Sequence, residues 1–348
     1  MEKKINSDII IVGGGLAGML TAFSLLQHDS SIKLTLIDNG FYSAAWRIAA
    51  GIINPVAGKR IVKTANIELL LSSLHHSNSL LNQYTGKNYF YPMPIVRIFR
   101  DDSEQLSWNK KIQREDYLGW LSPYTSTSFP IYTPHGAGII HCGGRLDIIG
   151  FVNDITAWLS MHCTILYDTF FPDTSLFSSN QLIIMCYGWE MMYNPLWSWL
   201  PFAPFKGEVL TIEMPRDFSQ SPILNNGTYF LPLKNGTARI GATIEHDTLT
   251  YTPTEQARQE LLTDFTAMTG IIPHVLAHHA GIRPGIEDRY PVIGKHPVHS
   301  NTMIVNGLGG RGALYAPYCA HAITDLLLHN APIPHEYSVE RYYHRFLP

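Results

Sequence analysis

Near the N-terminus a β-branched run, Ile9, Ile10, Ile11 and Val12, is broken by three consecutive glycines, Gly13, Gly14 and Gly15. Such a run suits a strand buried on both faces of a parallel sheet. Beyond the glycines Leu16, Met19, Leu20, Phe23 and Leu26 recur at helical spacing, which predicts an amphipathic helix packed back onto that strand. A second strand is expected over Lys33 to Ile37, ending at Asp38. Together they form one βαβ unit whose turn reads Gly13-x-Gly15-x-x-Gly18. In this pattern the glycines provide a tight turn, close backbone approach to a diphosphate and tight helix-on-strand contact. The helix N-terminus adds free N–H groups and the positive end of a dipole. Asp38 stands where a carboxylate meets a ribose. A ligand-free turn has no need of this whole set, so a dinucleotide site is expected, with NAD and FAD both open at this point.

A chain of 348 residues is long for one core, and two joined domains with a cleft between them are expected. With 45% hydrophobic and 15% charged residues it has ample apolar material to fold compactly. A formal charge of −3 supplies no overall field to draw in a polyanion. Cys142, Cys163, Cys186 and Cys319 lie far apart without a C-x-x-C pair, as expected of reduced thiols in a cytoplasmic protein. The pairs His75-His76 and His278-His279 lack metalloprotease spacing, and no metal is expected. Ile9 to Leu26 is an uncharged run of 18 residues, but its glycines stand where a membrane-spanning helix needs side chains. No membrane span is expected.

Further along, Ala65 to Gln83 reads as a helix, and Tyr89 to Phe99 as strands punctuated by Pro92 and Pro94. Gly207 to Met214, Thr228 to Leu233 and Thr237 to Ile244 read as a meander with Asn226-Gly227 and Asn235-Gly236 turns. Thr254 to Thr269 reads as a helix capped by Thr254 and stopped by Gly270. At the end Met303 to Val305 is a strand, Gly307 to Gly312 a glycine-rich loop, and Ala316 to Leu328 a helix with Pro317 in its first turn. The expected fold is α/β: a Rossmann-type cofactor-binding domain with a parallel sheet (1–75, 142–203 and 275–348). Interleaved with it is an α+β substrate domain with an antiparallel sheet (76–141 and 204–274).

The small-residue stretch Ser43 to Asn54 contains Ala49-Ala50-Gly51. Together with Gly281-Ile282-Arg283-Pro284-Gly285, Asp288 to Gly294 and the C-terminal glycine loop, it resembles the D-amino-acid-oxidase superfamily of flavoproteins over essentially the whole chain. Within it the chain is similar to glycine oxidase and to the oxidase half of the bifunctional enzyme that matures carboxymethylaminomethyl groups on tRNA. The resemblance implies FAD. It carries Gly13, Gly15, Leu16, Ala17, Gly18 and Asp38 to the AMP half, and Ala49, Ala50 and Gly51 to the loop beside the isoalloxazine. Gly188 is carried over although Cys186-Tyr187-Gly188 departs from the family's Ala-Thr-Gly. Gly309, Gly310, Arg311, Gly312 and Ala313 meet the flavin ring, with Arg311 facing flavin or substrate. Arg283 matches the arginine that pairs a substrate carboxylate, a task suited to its planar fork. Tyr229 lies in a strand extending over the flavin, where a substrate hydrogen bond and ordinary packing have equal weight. Ala280 to Arg283 contains no cysteine where some relatives attach flavin, so non-covalent FAD follows.

The resemblance thus implies oxidation of the C–N bond of a small amino acid or N-substituted glycine, by hydride transfer to flavin N5 and imine hydrolysis. The electron acceptor is oxygen or another oxidant. The alternative is removal of carboxymethyl from the carboxymethylaminomethyl group of a tRNA wobble uridine, although Lys59, Arg60 and Lys63 form a cluster of a kind more often merely solvated. A second alternative is a flavin-binding protein without turnover.

Overall fold

The computed structural model describes residues 7–125, 129–168 and 181–346. Strand Ile9–Val12 is buried throughout and pairs in parallel with Leu34–Asp38 on one side and Leu182–Met185 on the other. The full sheet runs Thr164–Tyr167, Leu34–Asp38, Ile9–Val12, Leu182–Met185, Thr302–Asn306 and Val292–Lys295. The last pairing is antiparallel. Helix Leu16–His28 follows the glycine turn and packs against helices Gly312–His329 and Ile148–His162. Phe23 meets Trp158 edge to face at 4.9 Å, a geometry favoured by the ring quadrupoles.

The second large sheet has eight strands, in the order Val275–Arg283, Phe205–Glu213, Thr237–Gly241, Tyr229–Pro232, Ile223–Asn225, Ile95–Ile98, Ala137–Ile140 and Leu121–Pro123. It is antiparallel except where Ile223–Asn225 meets Ile95–Ile98. Leu261, Phe265 and Met268 of helix Glu255–Thr269 join Leu210, Phe230 and Ile240 in a core against this sheet. On the opposite face Ile95, Ile140, Ile223 and Leu231 pack into a second core with Val56 and Trp108, and the remainder, at Val209, Asn225 and Tyr229, forms a cleft wall.

Four features depart from the sequence expectation. Phe205–Glu213 pairs with Thr237–Gly241, which lies between it and Tyr229–Pro232, so these three strands do not form a meander. The segment 275–283, assigned to the cofactor domain, is hydrogen-bonded along Phe205–Glu213 in the eight-stranded sheet. Its partner lies about seventy residues away, a pairing that local patterning does not encode. A boundary at residue 75 falls inside helix Ile67–Thr85, which buries Leu70, Leu74 and Leu81 and packs on helix Gly312–His329. That last helix starts at Gly312, so Pro317 lies beyond the first turn. The 3-10 turn Gly309–Arg311 leads directly into it, which moves the helix start upstream.

Thr254 caps helix Glu255–Thr269 as expected, accepting from Ala257 N at 3.2 Å, and Gly270 closes it with φ 71°. The Thr254 hydroxyl also donates to Glu208 Oε1 at 3.1 Å, and Glu208 is buried 2.7 Å from Lys206 Nζ. Thr254→Ala is therefore expected to cost about 1–2 kcal/mol. The check is a lower urea midpoint with unchanged denaturant slope.

Candidate active site

The C-terminal ends of three adjacent parallel strands meet at one place: Val12 leads into Gly13, Met185 into Cys186-Tyr187-Gly188, and Asn306 into Gly307. Asn306 Nδ2 ties two of them together by donating to Gly188 O at 2.8 Å. A cleft of about 430 Å³ runs from here to the eight-stranded sheet, within the size range of small-molecule sites. It is lined by Gly13, Gly15, Leu16, Ala17, Asp38, Ala49, Ala50, Gly51, Gly188, Tyr229, Arg283, Gly309, Gly310, Arg311, Gly312 and Ala313. Of the sequence-derived site residues, Gly18 alone stands outside the lining. A Cβ there would lie 1.9 Å from Gly13 O and 3.2 Å from Ile11 Cγ2, so this glycine serves helix-on-strand contact.

The glycine turn distinguishes what the protein needs for itself from what it leaves for a ligand. Gly13 has φ +105°, and a Cβ there would sit 2.6 Å from Tyr187 Cα. Gly14, outside the spaced motif, matters too: a Cβ would lie 2.5 Å from Asp38 Cγ, and its N–H donates to Asp38 Oδ1 at 3.2 Å. Gly15 has an ordinary φ of −77°, and its nearest neighbour would be Trp46 Cδ1 at 3.5 Å, a normal contact. Packing does not require glycine at this position. The space it leaves opens on the helix N-terminus, where N–H groups lack intrahelical partners and favour an anion. With Asp38 Oδ2 without a partner among the described residues, these residues fit the diphosphate and ribose of FAD.

At the other end, Arg283 closes strand Val275–Arg283. Its Nη1 donates to Thr243 O at 3.3 Å and its guanidinium lies 5.1 Å from the Phe205 ring centroid. It has no acidic partner among the described residues. Enclosure lowers its pKa, yet a guanidinium keeps its proton in a protein. Only a glycine at 207 leaves room for it, since a Cβ there would sit 2.1 Å from Arg283 Nη2. Burial pushes the Tyr229 hydroxyl up to about 12, so it remains a hydrogen-bond donor at neutral pH. Gly241 makes space for that ring, with a would-be Cβ 2.6 Å from its Oη.

Arg311 lines the cleft, but its guanidinium bonds Thr64 Oγ1 and Arg289 O, both at 3.4 Å, and lies over Tyr315. Arg239, unmarked in the sequence reading, donates from Nη1 to Ile48 O and Ala49 O at 2.9 Å and ties the substrate-side sheet to the Ala49-Ala50-Gly51 loop. Asn225 and Gly207 were likewise unmarked and line the cleft, as do Trp46 and Arg47 of the stretch Ser43 to Asn54. The Asn226-Gly227 turn was the one nearby signal for Asn225. His279 is exposed and outside the cleft, whereas Tyr251 lines it and accepts from Trp189 Nε1 at 2.6 Å. Among the described residues no group of His, Cys, Asp or Glu is arranged for a metal, and no helix is long and apolar enough to cross a membrane.

The chain belongs to the FAD dependent oxidoreductase (DAO) family, whose pattern matches residues 8–326. It is an FAD-dependent oxidoreductase. A glycine oxidase of Pseudomonas aeruginosa is 30% identical over 94% of this chain and 97% of its own. The tRNA 5-methylaminomethyl-2-thiouridine biosynthesis bifunctional protein of Actinobacillus pleuropneumoniae is 22% identical over 94% of this chain and 56% of its own. Among solved structures, glycine oxidase from Geobacillus kaustophilus superposes with a TM-score of 0.81 at 20% identity, covering 94% of this chain and 95% of that one. It shares the fold.

Proposed function

We propose that the enzyme oxidises the C–N bond of a small amino acid or N-substituted glycine. The observation that carries this reading is Arg283, an enclosed guanidinium at the cleft wall without a carboxylate partner among the described residues. A substrate carboxylate completes its fork in one orientation. Tyr229 adds a neutral donor beside it, and Gly207 and Gly241 leave room for both side chains. Bound FAD supplies the two-electron acceptor. The glycine turn and Asp38 hold its ADP part, while Ala49 to Gly51 and Gly309 to Ala313 border its ring. Binding the substrate as a neutral amine removes the need for a side-chain base, and water hydrolyses the resulting imine to a carbonyl product and an amine. Orientation and exclusion of water account for most of the rate. Domains divide as the sheets do, with 275–283 joining the substrate side. All four cysteines are free thiols, in keeping with the cytoplasmic reading.

A tRNA-borne carboxymethylaminomethyl group is itself an N-substituted glycine and is the second reading. Exposed Lys59 and Arg60 follow Ala57, which lines the cleft, although Lys63 is paired with Glu68 at 3.3 Å. Glycine, sarcosine, proline, D-amino acids and tRNA bearing carboxymethylaminomethyluridine are to be added anaerobically to the holoenzyme. Bleaching of the flavin band by a small amine is the expected result. Bleaching by the tRNA alone moves the assignment to the second reading, and bleaching by none leaves a flavin-binding protein without this turnover.

A further inference from the structure

Arg97, Asn225, Tyr229 and Gly241 are register partners across four neighbouring strands of the eight-stranded sheet. Their side-chain positions therefore share one face. That face reaches the cleft at Asn225 and Tyr229. Behind them Arg97 and Glu104 form an ion pair, their side chains 8% and 4% exposed. Arg97 Nη1 donates to Asn225 Oδ1, and Gly227 N donates to the same oxygen at 3.3 Å. A guanidinium has no acceptor, so the reversed amide would set an NH₂ group against two donors. Asn225 Nδ2 is thus turned away from both, and it has no partner among the described residues.

We infer that Asn225 is a substrate-binding residue whose Nδ2 donates to a carboxylate oxygen in the cleft, and that Arg97 is the residue that positions it. The inference rests on the carboxylate reading of this cleft. It explains why an arginine–glutamate pair is buried behind an asparagine: the pair locks which end of the amide meets the ligand. Desolvating such a pair is costly; here Glu104 and Asn225 hold the two Nη atoms of Arg97, while its Nε has no partner among the described residues.

Asn225→Asp keeps an oxygen for Arg97 and Gly227 and exchanges the donor for a negative oxygen. The probe is glycolate titrated into the FAD-loaded enzyme, read as a perturbation of the flavin spectrum. Its dissociation constant is expected to rise roughly ten- to a hundredfold in Asn225→Asp, the scale of a lost bond to a charged group, and by a smaller factor in Asn225→Ala. FAD content should hold in both variants and melting temperature in Asn225→Asp, which keeps the oxygen for Arg97; Asn225→Ala leaves the buried guanidinium short of an acceptor and should melt lower. Arg97→Lys should weaken glycolate in the wild-type background and add nothing to Asn225→Ala, which separates positioning from a general structural effect. If Asn225→Asp fails to fold, Asn225→Ala decides. Glycolate affinity within about twofold of wild type in the folded variant, with Arg283→Leu still weakened, overturns the inference and leaves the functional reading standing. Glycolate that fails to perturb the wild-type flavin overturns both.

Discussion

Replacing Arg283 with leucine is expected to weaken carboxylate binding to the FAD-loaded enzyme by about 2–5 kcal/mol, the loss when one partner of a buried charge pair is removed. The free protein is expected to keep or gain stability. Arg283 makes one hydrogen bond, to Thr243 O, and stacks near Phe205, so in the absence of ligand its charge is enclosed without a counter-charge among the described residues. Leucine relieves that cost and retains an apolar surface against Phe205. Opposite signs in the two measurements are what identify a ligand-binding arginine. Glycolate titration and thermal melting of the variant check them, and a large fall in melting temperature would make the residue structural instead. With Tyr229 pushed up to about 12, its hydroxyl should introduce no titration of binding across neutral pH.

Several parts of this fold are written locally in the chain. The run Ile9 to Val12, the glycine turn and the helix Leu16–His28 announce themselves because strand burial, backbone freedom and helical periodicity each leave a short-range mark. Thr254 and Gly270 bracket their helix for the same reason. What escaped sequence reading depends on contacts between distant segments. Val275–Arg283 has no local trait that says it will pair with Phe205–Glu213. Arg239 reaches across 191 residues to the carbonyl of Ile48, and Gly207 is required because Arg283 passes over it. Asn225 acquires its meaning from Arg97, 128 residues away. The cofactor end of the cleft was therefore legible as a loop motif. The substrate end was legible chiefly through family resemblance at Arg283.

Two glycines of the spaced motif, Gly18 and Gly15, should separate cleanly when substituted. Gly18→Ala sets a Cβ 1.9 Å from Gly13 O, a contact with backbone that neither strand nor helix can relieve without moving apart. Overpacking of this kind costs about 1–3 kcal/mol or more, so the protein is expected to lose stability with or without FAD. Gly15→Asp should behave differently. Its backbone is in an extended conformation at the helix N-cap, and the nearest atom to an added Cβ is Trp46 Cδ1 at 3.5 Å. Aspartate is a preferred N-cap residue and complements the helix dipole, so the apoprotein should melt at the same temperature or higher. The same carboxylate would occupy the diphosphate's place and repel it, a juxtaposition that costs several kcal/mol, or roughly a thousandfold in affinity. Reconstitution of apoprotein with FAD, followed by fluorescence quenching, measures that loss beside the melting curve. A Gly15→Asp protein that retains FAD with wild-type affinity would mean the diphosphate does not lie at this helix N-terminus, whereas one that loses both FAD and stability would make Gly15 a packing glycine like Gly18.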